Sequence, residues 1–436
     1  MAIQSAPRTP SSASNGPVVN ARSALAVVTT IFFMWGFLTS LNDVLIPHLK
    51  AVFELNYTRA MLVQFTFFGA YFLMSLPAGR LVARVGYKNG IVAGLVIAGI
   101  GALGFWPAAS LRIYDAFLAS LFVLATGITI LQVAANPYVA LLGPEQTSSS
   151  RLTLAQALNS LGTTLAPLFG GHLILSTAVR TTEQIDALPV AEQLAYRAAE
   201  AQSVQGPYVG LAVALVLLAV FVFLFRLPKL ADVAESSEPG NHSVFDALRR
   251  PHLLFGVLAI FFYVGAEVSI GSFMVNYLSL PEIGGITEQQ ATQYVSAYWG
   301  AAMVGRFAGA WLLARLSPRR LLTSFAMLNV LLLLLTLASS GKVALYCLVA
   351  TGLFNSIMFP TIFALSIERL GPLTNKGSSL LIMAIVGGAV LPLLQGVLAD
   401  RIGLHYSFLL PVICYMYIIF YGHIGSRLRD PVTQGG

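Results

Sequence analysis

Runs of mostly apolar residues long enough to cross a bilayer recur twelve times along this chain, at about 24–47, 60–82, 89–109, 114–142, 152–176, 206–226, 253–279, 290–314, 321–340, 343–367, 377–399 and 405–426. A spanning helix needs about 20 such residues, because no water is present in hydrocarbon to satisfy an open backbone. The runs are continuous and do not alternate every second residue over about ten, so they predict helices and not a barrel. We call them spans 1 to 12. The remaining composition leaves little room for another class. Only 10% of the 436 residues are charged and 57% are hydrophobic, with a mean hydropathy of +0.78, whereas a water-soluble domain carries about 25% charged residues.

Between the spans lie a Ser-, Ala- and Asn-rich tail over 1–23, expected to be disordered, and two longer connections, 177–205 and 227–252. The first apolar run lacks a cleavage site and reads as span 1, not as a signal peptide. The 227–252 stretch carries Pro228, Pro239 and Pro251 and sits near the middle of the chain. It predicts a linker between two six-helix halves, 24–226 and 253–426, followed by a tail over 427–436. With the N-terminus inside, 18 of the 25 Lys and Arg fall on the same side, counting Arg306 with the loops. The positive-inside rule then places both termini in the cytoplasm. The net charge of +7 is dispersed over short loops beside the membrane, so it points to lipid and excludes a nucleic-acid surface.

The halves repeat. Leu81–Lys88 after span 2 is matched by Leu312–Arg319 after span 8; Asn136-Pro137 in span 4 by Phe359-Pro360 in span 10; and Gly162, Pro167 and Gly171 in span 5 by Gly387, Pro392 and Gly396 in span 11. Two copies of six spans share one orientation, an architecture of transporters that hold substrate at the repeat interface near the midplane. Prolines 47, 137, 167, 360 and 392 and the pair Gly387-Gly388 are candidate breaks, either ordinary kinks or sites whose freed carbonyls line a polar cavity.

Ionisable groups inside a bilayer are costly and mark function by default. Two acids lie well within spans: Asp43, next to Asn42 in span 1, and Glu267 in span 7. Each is a candidate for cation coupling; at Asp43 the carboxyl could take up a proton, or with carbonyl oxygens hold sodium. The alternative is a structural carboxylate bracing neighbouring helices. Gln132 and Asn136 share a face of span 4 at i, i+4. Gln156 and Asn159 stand i, i+3 on span 5, and Asn355 lies on span 10. Amides offer donors and acceptors together, which suits sugar hydroxyls, although membrane helices also use them as interhelical glue. Trp35, Tyr263 and Trp299, with Phe68, Tyr71 and Tyr298, are candidates to pack on a sugar ring. Cys347 and Cys414 have no metal or disulfide spacing. The six histidines form no set with a nucleophile, so no cofactor, metal or enzyme activity is expected.

Several of these segments together resemble the fucose–proton symporter family of the major facilitator superfamily. They are Phe33-Met-Trp-Gly-Phe-Leu-Thr-Ser-Leu-Asn-Asp-Val-Leu-Ile-Pro-His48, Ala134-Ala-Asn-Pro137, Arg151-Leu-Thr-Leu-Ala-Gln-Ala-Leu-Asn-Ser160, Tyr263-Val-Gly-Ala266 and Pro360-Thr-Ile-Phe363. Ile128–Pro137 resembles the glucose/galactose branch. The loop Gly79–Lys88 is similar to the superfamily's loop signature, with Ala83 in place of the usual acid. The resemblance implies an all-α twelve-helix fold, alternating access and cation-coupled hexose uptake across a bacterial inner membrane by a monomer. It makes Asp43 the coupling carboxylate. Fucose symporters carry a glutamate where this chain has Gln132, which argues against fucose and leaves Asp43, alone or with Glu267, and makes sodium a credible partner. Other sugars of the family (N-acetylglucosamine, fructose, mannose or fucose) stay open as alternatives, as do a sugar sensor and a drug or lipid exporter.

Overall fold

A computed structural model describes residues 23–37, 40, 57–111, 113–173, 187–228 and 243–428. Asn42, Asp43 and Pro47 lie outside the described residues, and so does most of the linker. Among the described residues the fold is all helical, with short 3-10 segments and a π turn at Tyr421–Gly425. Eight stretches are long and apolar enough to cross a membrane, and Ser23–Phe37 is a shorter apolar helix. Leu217, Phe223, Leu224 and Trp311 are each more than half exposed. Such an outward-facing apolar surface belongs to lipid, not to water.

The helices start and break where local chemistry directs. Pro251 and Pro318 open Pro251–Leu278 and Pro318–Ala338, where the missing N–H is an orphan anyway. Thr287 and Gln290 form a capping box at the start of Glu288–Leu313. The sixth span begins earlier than its apolar run, at Val190, because the polar stretch before it continues the helix. Spans 2 and 3 run together as Tyr57–Leu111 and part at Gly86, with φ 80° and ψ 166°. That backbone is open to glycine and strained for other residues. Span 10 divides into Gly341–Asn355 and Met358–Ser366 ahead of Pro360. Span 11 divides into Thr374–Met383, a 3-10 turn Ala384–Val386, and Gly387–Ile402.

Helices from the two sequence halves pack on one another. Span 5 (Ser148–Leu173) lies against span 8 and the second segment of span 10, and span 2 lies against span 11. Toward one end the contact is pinned: Ser150 Oγ donates to the Ala310 carbonyl at 2.7 Å, Ser378 Oγ to the Val133 carbonyl at 3.0 Å, and Arg369 stands 4.0 Å from Glu145. Span 1 is seated on span 5 by glycine. A Cβ at Gly162 would fall 2.7 Å from the Phe37 backbone nitrogen and against the Phe33 carbonyl.

Candidate functional site

The two matched prolines each release a carbonyl. A proline cannot donate to the residue four before it, so Pro137 frees Val133 O and Pro360 frees Ser356 O. Both carbonyls find a side chain from another span. Val133 O takes Ser378 Oγ from span 11. Ser356 O takes Arg306 Nε from span 8 at 3.4 Å. A feature legible in sequence thereby builds two polar junctions between helices.

Arg306, tallied with the loop charges although it falls within span 8, sits inside the helix Glu288–Leu313, about two turns from its end. Its Nη1 donates to Ser160 Oγ on span 5, across the halves, and its Nη2 lies 3.9 Å from Glu267 Oε1, with side chains 16% and 12% exposed. Among the described residues Glu267 Oε1 has no hydrogen-bond partner. Tyr298 OH contacts the Glu267 backbone carbonyl at 3.4 Å and accepts from Asn355 Nδ2 at 2.7 Å. Asn355 Oδ1 accepts from Tyr415 OH at 2.6 Å and from Asn329 Nδ2 at 2.8 Å, and its backbone carbonyl accepts from Tyr263 OH at 3.0 Å. The structure thus joins the predicted Tyr263, Glu267 and Asn355 in one cluster. Asn355 is fully buried, and its amide is spent on helix-to-helix bonds. Trp299 leans edge-on to Tyr298, with ring centroids 5.1 Å apart, and is 41% exposed.

The amides of the first half behave differently. Gln132 Nε2 donates to Tyr71 OH at 2.7 Å, tying span 4 to span 2. Asn136 is fully buried, and among the described residues neither its Oδ1 nor its Nδ2 has a partner. An unmet buried amide costs about 1–3 kcal/mol per group. Asn159 Nδ2 donates to the Phe32 carbonyl of span 1 at 2.9 Å. Gln156 is buried, and its backbone carbonyl accepts from Ser160 Oγ at 2.9 Å. Among the described residues no hydrogen bond joins these four amides to one another. Trp35 packs on Phe32, ring centroids 5.3 Å apart. Asn42 and Asp43, the other predicted members, lie outside the described residues.

Arg306, Ser160, Tyr415 and Asn329 were not singled out for this cluster by sequence reasoning. The i−4 rule applied to Pro360 points to the Ser356 carbonyl, a signal that was available. That Arg306 would be the group to meet it was not, since the two are 50 residues apart.

At the pinned end, a cavity of about 660 Å³ is lined by Glu145, Ser148, Arg315, Arg319, Glu368 and Arg369, among others. Arg319 and Glu368 form an ion pair at 2.6 Å. Burial pushes the Glu368 carboxyl above its ordinary range, with the Arg319 charge opposing.

Residues 27–384 match the family model described as Major Facilitator Superfamily. The chain is 53% identical over 406 residues to a glucose/galactose transporter of Brucella abortus biovar 1 (strain 9-941), covering 93% of this chain and 94% of that one. A crystal structure of the E. coli fucose:proton symporter, a variant of FucP, superposes with a TM-score of 0.87 at 34% identity, covering 93% of this chain and 99% of that one. A second structure, of FucP in the outward conformation, also superposes with a TM-score of 0.87, at 35% identity and over 92% and 98% of the two chains.

Proposed function

From the premise that this chain belongs to the Major Facilitator Superfamily, we infer that it is a cation-coupled symporter, a non-catalytic carrier that takes up a hexose by alternating access. Glucose and galactose are the substrates this reading favours. The observation that carries it is the 53% identity, along 93% of the chain, with a glucose/galactose transporter.

Twelve spans in two parallel six-helix halves, 24–226 and 253–426, complete the reading. The long helix Tyr57–Leu111 counts as two crossings, and Ser23–Phe37, Ser148–Leu173 and Glu288–Leu313 supply the other three beyond the eight most apolar stretches. The repeat has a structural echo. Lys88 Nζ donates to the Phe223 carbonyl near the end of span 6 at 2.7 Å. Its counterpart Arg319 donates to the Ser426 carbonyl at the end of span 12 at 3.2 Å. Both termini and the pinned end face the cytoplasm of a bacterial cell, and the protein works as a monomer in the inner membrane. Contacts Ser150–Ala310 and Ser378–Val133 then close the path on the inside, in keeping with the outward conformation of the similar transporter.

Asp43, beside Asn42, is the coupling carboxylate, with Glu267 as the second charge; sodium or a proton is the coupling ion. Gln132, Asn136, Gln156 and Asn159 contact the hydroxyls. Asn136, unmet while the halves sit as they do, gains its partners from the sugar. Trp35 and Trp299 offer ring faces, whereas Tyr263 and Asn355 hold the second half in shape around the site.

The test is counterflow of labelled galactose and glucose in proteoliposomes, without an ion gradient. Exchange that hexoses compete supports the reading, and a folded preparation that exchanges neither sugar overturns it. Uphill accumulation by Asp43→Asn would remove Asp43 from coupling.

A further inference from the structure

Resting on the cation-coupled reading above, we propose that Arg306 is a latch between the halves: it holds Ser160 across the interface while Glu267 is neutral, and lets go when Glu267 is charged and empty.

The geometry sets up a competition for one guanidinium. Arg306 has five donors in a rigid fork. Nε is committed to the carbonyl that Pro360 frees, and Nη1 to Ser160 Oγ. The remaining Nη2 stands 3.9 Å from Glu267 Oε1, about 1 Å too far for a hydrogen bond. Glu267 Oε1 is buried and otherwise unmet. Moving the guanidinium to the carboxylate exchanges a hydrogen bond charged on one partner, that to the Ser160 hydroxyl, for one charged on both. The groups around Glu267 from the other packed elements are Tyr298 on span 8, Asn355 on span 10 and Tyr415 on span 12, with Tyr263 on its own span. All are neutral, so among the described residues Arg306 is the cation of this cluster. With a cation or proton on Glu267 that pull is lost, and Arg306 stays on Ser160.

Ser160 also belongs to the sugar face. Its hydroxyl donates to the Gln156 carbonyl at 2.9 Å, and it directly follows Asn159 in the chain. A sugar that reorders Gln156 and Asn159 disturbs the same turn that Arg306 grips. The latch therefore keeps a carrier loaded with cation alone closed on the inside, and sugar is what frees it. A symporter needs this to avoid leaking its driving ion, and it is coupling in the linkage sense.

The exposed pair Glu145 and Arg369, 4.0 Å apart across the halves, gives a readout that does not depend on transport. With Cys347 and Cys414 replaced by alanine, cross-linking of a Glu145→Cys, Arg369→Cys background by a short bis-thiol reagent, which spans the reach of the two removed side chains, reports inside closure. Ser160→Ala is expected to slow cross-linking about tenfold, the scale of a lost hydrogen bond to a charge. Ser160→Thr, which keeps the hydroxyl, stays near the parent. Arg306→Lys, which loses the fork, slows it as well. Glu267→Gln speeds cross-linking, and this gain vanishes in the Ser160→Ala background. A purely structural role for these residues does not produce that vanishing. The latch is overturned if Glu267→Gln acts equally with and without the Ser160 hydroxyl, or if neither variant moves the rate. Thermal melting of each variant separates misfolding from a shifted equilibrium, and Ser160→Thr carries the test should Ser160→Ala not fold. Absent hexose counterflow in the parent overturns the sugar reading, while the cross-linking series still decides the latch.

Discussion

In the first half of the chain, Asn136 directly precedes Pro137, and among the described residues both its amide atoms are unmet. In the second half, Asn355 comes five residues before Pro360, and its amide bonds Tyr298, Asn329 and Tyr415. Both asparagines are fully buried, each ahead of the matched proline of its half, with Asn355 at the place that Gln132 holds in the first half. Asn136 holds its polar capacity in reserve, whereas Asn355 uses its own to lock helices together. The contrast teaches that residue type and depth in a membrane helix do not distinguish a binding group from a bracing one. What distinguishes them is whether neighbouring spans have already used the donors and acceptors.

The strongest way to break this contrast is Asn355→Ala. Three side-chain hydrogen bonds are lost in a dry interior, and a loss of about 3 kcal/mol is expected, read as a lower melting temperature in detergent. If melting is unchanged while galactose affinity falls, Asn355 is a binding group after all. Next comes Gly162→Ala, which drives a methyl into the backbone of span 1. Overpacking of this kind costs about 2 kcal/mol and shows whether the reserve in the first half rests on a rigid frame. Asn136→Ala should be the reverse of Asn355→Ala. Stability stays within about 1 kcal/mol, because an unmet buried amide is removed. The half-saturating galactose concentration in counterflow rises about tenfold, the loss of one good hydrogen bond.

The smallest effect concerns the loop ends. Lys88 has a carbonyl partner, and Ala83 stands where a carboxylate is usual, whereas Arg319 has Glu368. Burial raises the Glu368 pKa, so the folded protein holds that proton more tightly than the unfolded chain. The stabilisation from this group is present below the ordinary carboxylate pKa and is lost as pH rises through the raised value. Melting temperature followed across that range should decline slightly in the parent and run flatter in Glu368→Gln. A matching slope in the variant would assign the pH dependence elsewhere.

Much of the candidate site was legible in sequence because helix periodicity and proline chemistry are local. Gln132 and Asn136 share a face by their spacing alone, and Glu267 announces itself as an acid in an apolar run. The breaks in spans 10 and 11 fall close ahead of Pro360 and Pro392. The role of Asn355 was not legible. Its partners come from spans 8, 9 and 12, and periodicity names a face without naming its neighbour.

The sequence by itself determined the solvent of this protein, the number and places of its apolar runs, and the residues whose burial in lipid demands partners. Those follow from the cost of bare backbone and bare charge in hydrocarbon, which each segment bears alone. Only the tertiary structure decided which demands are met: Ser160 against Arg306, 146 residues apart, and Val133 against Ser378, 245 residues apart. A hydrogen bond depends on fractions of an ångström between groups on different helices, and helix packing, not local propensity, sets that distance.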